Sequence, residues 1–117
     1  MTQNDILPEW CQGEEWCPVT ATGIFLSGKW KPVIIHHLLE EDDLRFNELQ
    51  KAIGTISNKV LSDNLDDLEE KNLINRQVDD GRPVEVRYSL TKHGENLEPV
   101  ITEMRRWAQQ YKQDTDI

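Results

Sequence analysis

Two short apolar stripes at helical spacing, with a single glycine between them, limit the folds open to this 117-residue chain. Phe46, Leu49, Ala52 and Ile53 fall on one face of a helix spanning about 46–53, and Leu61, Leu65 and Leu68 fall on one face of the next. Gly54 stands where a helix C-terminus needs left-handed backbone, and Thr55 or Ser57 supplies an N-cap only a few residues later. Asn72, the residue after glycine most tolerant of that conformation, closes the second helix. Two short helices joined by a tight glycine-containing turn form a helix-turn-helix pattern.

The flanking segments place that pattern in a larger order. Pro18 suits the first turn of a helix over about 19–26, which ends at Ser27-Gly28. A helix over about 30–41 carries Trp30, Val33, Ile34, Ile35, Leu38 and Leu39 around most of its circumference, which predicts a central, buried element. After Asn72 the period changes. Val84, Val86, Tyr88 and Leu90 alternate with Glu85, Arg87 and Ser89, and residues 74–78 precede them across an Asp80-Gly81 turn, with Pro83 at the start of its strand. Thr91 then caps one long helix to about residue 112, striped by Leu97, Val100, Ile101, Met104, Trp107, Ala108 and Tyr111. The expected fold is α+β and mainly α: a winged helix-turn-helix with a two-stranded β-hairpin wing and N- and C-terminal dimerisation helices. The expected organisation is an irregular arm over 1–16, the domain over 17–112 and a tail over 113–117.

Composition excludes several classes. At this length the chain buries about two-thirds of its unfolded surface and needs no metal or disulfide staple. Thirteen Lys and Arg against twenty-two Asp and Glu give a net charge of −9, which excludes a generally basic nucleic-acid coat but not a local basic surface. The longest uncharged run, residues 16–28, is short of the ~20 residues of a membrane helix. Residues 1–16 hold four acids and no Lys or Arg, unlike a secretory signal or basic transit peptide, so a cytoplasmic location is expected. The histidines are the adjacent His36 and His37 plus His93, a poor zinc set, and read as structural or solvated. With no phosphate loop and no Ser/His/Asp signature, neither an enzyme nor a cofactor is expected.

The run from Cys17 to Tyr111, roughly four-fifths of the chain, resembles the HxlR-type subfamily of MarR-like winged-helix transcription regulators. The matching pieces are Cys17-Pro18-Val19, Gly28-Lys29-Trp30, Arg45-Phe46-Asn47-Glu48-Leu49, Ile56-Ser57-Asn58-Lys59-Val60-Leu61-Ser62, residues 65–74, Val86-Arg87-Tyr88-Ser89-Leu90-Thr91, and the helix ending in Trp107-Ala108. The resemblance implies a homodimeric regulator of double-stranded promoter or operator DNA, often of genes for oxidative, electrophile or aldehyde stress. It also implies sensing by the cysteine before the proline, here Cys17.

In such a fold the second helix of the pair enters the major groove. Its outward positions here are Ser57, Asn58, Lys59, Ser62 and Asp63. The two serines suit phosphate or base edges, Asn58 suits adenine, and Lys59 suits phosphate or guanine. At the hairpin tip Arg82 is the first candidate for the flanking minor groove or backbone. Arg87 has two readings, a DNA contact or an ion pair with Glu85 or Asp79. Lys29 and Lys31 flank the second helix as phosphate contacts or solvated surface, and Arg45 either braces the third helix or meets the backbone. Asp63, Asp66, Asp67, Glu69 and Glu70 oppose DNA binding, so affinity should be modest and salt-sensitive.

The last helix offers Leu97, Ile101, Met104, Ala108 and Tyr111 at spacings of four and three, a seam for a second copy or for its own domain. Cys17 would sit at a helix N-terminus, which lowers a thiol pKa, while Glu14 and Glu15 raise it. Oxidation to a sulfenic acid, a Cys11–Cys17 bond or an inter-subunit bridge are the routes for a sensor, and a reduced, packed thiol is the alternative. A ligand-responsive or constitutive regulator with an inert Cys17, and a protein-interaction winged helix that has lost DNA affinity, are the competing functions.

Overall fold

The computed structural model describes residues 17–115. Helix α1 (Pro18–Phe25) starts at its proline, whose missing N–H costs nothing in a first turn. Helix α2 (Lys31–Glu40) buries Ile34, Ile35 and Leu38 completely or nearly so and occupies the centre, as its all-round apolar pattern predicts. Helix α3 (Phe46–Ile53) has the predicted bounds, with the Arg45 N–H donating to Glu48 Oε1 at 2.8 Å at its start. Gly54 follows at φ 100°, a conformation that strains any residue with a Cβ.

Helix α4 (Asn58–Glu70) is capped by Ser57, whose hydroxyl accepts the Val60 N–H at 3.2 Å. It puts Leu61, Leu65 and Leu68 into the core. Asn72 ends it at φ 61°, and the Leu73 N–H reaches back to the Leu68 carbonyl at 3.0 Å, the long-range bond of a left-handed C-cap.

The sheet differs from the expectation by one strand. β1 (Leu44–Arg45) lies beside β3 (Glu85–Leu90), which in turn pairs with β2 (Ile74–Asp79), giving an antiparallel order β1-β3-β2. In register, Leu44 faces Tyr88, and Val78 faces Val86. A two-residue strand has no period to detect, so a hairpin alone was expected. Pro83 also lies within the turn rather than in the strand, which starts two residues later, and the Arg82–Pro83 peptide is cis.

The single C-terminal helix expected from Thr91 is two. Helix α5 (Lys92–Glu95) is one turn capped by Thr91, and α6 (Glu98–Thr115) follows after a break. Pro99 explains it: a proline has no N–H to continue the ladder and its ring clashes with the carbonyl four residues back. Between these elements a compact junction forms at Asn72-Leu73. Thr91 donates its N–H to the Leu73 carbonyl at 3.1 Å and its hydroxyl to the Asn72 carbonyl at 2.8 Å. Gly94 is buried against the same Leu73 carbonyl, so closely that an added Cβ would overlap the oxygen.

The core comprises Leu26, Ile34, Ile35, Leu38, Leu49, Ile56, Leu61, Leu65, Leu68, Leu73, Ile74, Tyr88 and Ile101. Helix α6 contributes only Ile101 to it fully, and most of its length projects beyond the domain. No helix among the described residues is long and apolar enough to cross a membrane.

Candidate nucleic-acid interface

The exposed start of α4 is set by local chemistry. Amides in the first turn of a helix have no intrahelical acceptor, and the aligned peptides give that end partial positive character. Ser57 satisfies Val60, leaving the earlier amides directed outward beside the exposed side chains of Asn58, Lys59 and Ser62. These four predicted residues therefore share one exposed ridge over the first turns of α4. Lys59, its side chain 83% exposed, is held by Asp63 Oδ2 at 2.8 Å. That hydrogen bond, then the carboxylate's charge, raises the lysine pKa above its ordinary value, so Lys59 is a full cation at neutral pH. Asn58 accepts a hydrogen bond through Oδ1 from Gln50 Nε2 of α3 at 2.5 Å.

Two further side chains, outside the predicted set, border this ridge. Val60 is 37% exposed on the outer side of α4, where an apolar group suits a thymine methyl. Its signal was available, since an apolar residue outside the Leu61, Leu65, Leu68 stripe has no place in the core. Gln50 gave no such signal, because its contact with Asn58 spans the turn.

The hairpin tip is built on an Asx turn in which the Gly81 N–H donates to Asp79 Oδ1 at 3.0 Å. Arg82 stands there exposed and, among the described residues, makes no ion pair. Arg45 and Arg87 are arranged otherwise. Arg45 bonds Glu85 at 3.2 Å, and Arg87 bonds Asp43 at 2.9 Å and reaches Glu85 at 3.6 Å, so the two stitch β1 to β3. Of the two partners expected for Arg87, Glu85 is present, and Asp43 takes the place of Asp79. Lys29 lies over the Trp30 ring, 4.6 Å from its centroid.

The acids are partly neutralised from within. Asp67 bonds Lys71 at 2.6 Å and Lys31 at 3.3 Å, which fastens the last turn of α4 to the start of α2. The hydrogen bond from Lys71, then the contact with Lys31, holds the Asp67 carboxyl below its ordinary range against the opposing effect of desolvation. Lys31, one of the two lysines flanking α2, is thereby committed to Asp67, with its side chain only 13% exposed.

A second exposed surface lies along α1 and α6. Met104, Trp107 and Tyr111 of α6 are exposed, with Trp107 and Tyr111 stacked at 5.2 Å. Next to Met104, Val19 of α1 is also exposed. Two apolar hollows adjoin at Val100 and Met104, one of about 800 Å³ along α6 and one of about 640 Å³ between α1 and α6. Cys17 is the N-cap residue of α1, its carbonyl accepting the Ala21 N–H at 2.8 Å, and its sulfur is disulfide-bonded. Cys11 lies outside the described residues. Among the described residues no group of His, Cys, Asp and Glu could hold a metal.

Known proteins resemble this chain in sequence and fold. The HxlR-like helix-turn-helix family profile matches residues 25–116. The uncharacterized HTH-type transcriptional regulator YdeP of Bacillus subtilis is 40% identical over 102 residues, covering 87% of this chain and 79% of its own. The HTH-type transcriptional regulator YodB of the same organism is 38% identical over 105 residues, covering 89% and 93%. The solved structure of the redox regulator HypR in its oxidized form superposes with a TM-score of 0.74 at 34% identity, covering 80% of this chain and 96% of that one. With the fold, the exposed α4 ridge and these relatives in agreement, the chain belongs to the HxlR-like helix-turn-helix family of transcriptional regulators.

Proposed function

We propose that the protein is a homodimeric, sequence-specific binder of double-stranded promoter DNA whose grip responds to thiol oxidation at Cys17. The observation that carries the DNA reading is the ridge of Ser57, Asn58, Lys59 and Ser62 at the exposed N-terminal half of α4. Small polar groups beside a fixed cation are what direct readout of base edges and phosphates requires. Arg82 at the wing tip reaches the flanking minor groove, while Arg45 and Arg87 support the wing's base and Lys29 borders the backbone. The dimer is supported by the apolar surface of α1 and α6, which a second copy of the chain would cover. The redox response is supported by Cys17 standing at the mouth of α1, next to that surface, and by the similarity to HypR, a redox regulator.

Binding of the fully reduced protein to its own upstream DNA over a salt series, repeated with diamide for wild type and Cys17→Ser, tests this reading. Wild type is expected to bind, to weaken with salt and to change affinity with diamide, and Cys17→Ser to lose only the last. Identical diamide responses in the two proteins reject Cys17 as the sensor, and absence of binding in dilute buffer rejects the DNA reading. A second reading, a small apolar ligand as the signal, is favoured by the hollow between α1 and α6.

A further inference from the structure

Gln50 links the two helices of the reading head by an arrangement that leaves no freedom in how its amide is turned. Its Nε2 donates to the Ile56 carbonyl at 3.1 Å and to Asn58 Oδ1 at 2.5 Å. A backbone carbonyl only accepts, so the group facing Ile56 has to be the NH2 of Gln50. That same NH2 faces Asn58, and Asn58 must therefore answer with its oxygen. Two side-chain amides are thus oriented by one main-chain oxygen in the turn after Gly54. Gln50 is half-buried on α3, whereas Asn58 is exposed at the first position of α4.

We infer that Gln50 is the positioning residue that sets which base Asn58 accepts, a step that rests on the DNA reading above. With Oδ1 engaged by Gln50, the edge that Asn58 turns outward is led by its NH2 donors. A purine N7 accepts from such an edge in the major groove. Cytosine offers only its N4 donor there, so wild type rejects it. In Gln50→Glu the carboxylate has no hydrogen to give, so it turns away from the Ile56 carbonyl and the Asn58 amide turns to donate to it. Its oxygen then faces the groove, and cytosine becomes acceptable. The selectivity at one operator position is in this way written on α3, by a side chain standing behind the reader.

The test enriches bound duplexes from a randomised pool with wild type, Asn58→Ala, Gln50→Ala and Gln50→Glu, with thermal melts alongside. Asn58→Ala is expected to erase the preference at one position per half-site. Gln50→Ala should erase it at the same position, about tenfold in base discrimination, and leave the other positions unchanged. Gln50→Glu should admit cytosine at that position, an outcome that a purely structural role for Gln50 does not produce. Should Gln50→Ala not fold, the Gln50→Glu motif decides. A wild-type preference retained in the Gln50 variants, or a loss spread evenly over all positions, overturns the role of Gln50 alone. A pool from which wild type enriches nothing overturns the DNA reading itself.

Discussion

Replacing Gly94 by alanine should destabilise the domain although alanine is the better helix former. An ideal Cβ at this position overlaps the Leu73 carbonyl oxygen and lies 2.9 Å from Leu90 Cδ2 and 3.2 Å from Leu90 Cβ. A carbonyl cannot step aside as a side-chain end can, so α5 has to retreat from β2. Overpacking of this kind costs about 1–3 kcal/mol. The retreat also draws the Thr91 N–H away from the Leu73 carbonyl, which it now reaches at 3.1 Å, at about 1 kcal/mol more. The helix preference of alanine over glycine returns at most about 1 kcal/mol. The net loss is about 1–3 kcal/mol, which lowers the melting midpoint by about 4–12 °C in a domain of this size. Urea and thermal unfolding of Gly94→Ala measure it against Gly23→Ala in α1, where an added Cβ meets nothing within 4 Å and stability should hold or rise. A Gly94→Ala protein as stable as wild type would refute the close-approach argument.

Lys59→Ala should weaken DNA binding and flatten the dependence of log affinity on log salt by about 0.9, the share of one phosphate contact. Its deficit relative to wild type should accordingly shrink about 3.5-fold between about 50 and 200 mM salt, and unchanged slopes in a filter-binding series would remove Lys59 from the interface. Asp67 is held below its ordinary pKa in the fold, so its contribution to stability is present above the ordinary carboxylate range and fades as pH falls through the lowered value. Urea midpoints of Asp67→Asn followed into acid should therefore fall less steeply than those of wild type, and parallel curves would count against the Lys31–Asp67–Lys71 brace. Met104→Asp introduces a charge in the apolar surface shared by the two hollows, and sedimentation should report monomer where wild type sediments as dimer.

Much of the architecture was readable because its signals are local. The α3 stripe, Gly54, the Ser57 cap and the Leu61, Leu65, Leu68 face lie within two dozen residues and announce the helix-turn-helix without any knowledge of partners. Strand β1 was hidden because Leu44 and Arg45 are a strand only by virtue of Tyr88 and Arg87 beside them. The break at Asn96-Leu97 was hidden differently: a continuous apolar stripe outweighed Pro99, whose backbone consequences are strictly local. In the candidate site the residue types were legible, but their partners were not. Lys31 and Asp67 are far apart in the chain and meet only when α2 and α4 pack. Arg87 finds Asp43 for the same reason. Acidity that looked hostile to DNA as a composition is, at Asp63 and Asp67, already matched by lysines.

The junction at Asn72-Leu73 has a mechanical corollary. The end of α4, the first residue of β2, the last of β3 and the turn that leads into α6 are all knotted there by Thr91 and by the buried Gly94. Groove reader and wing are consequently carried on one rigid hub at the root of the projecting helix. A rearrangement among the outer helices would swing both as a unit, and in the proposed dimer would alter the distance between two such hubs while leaving the grip of each one intact.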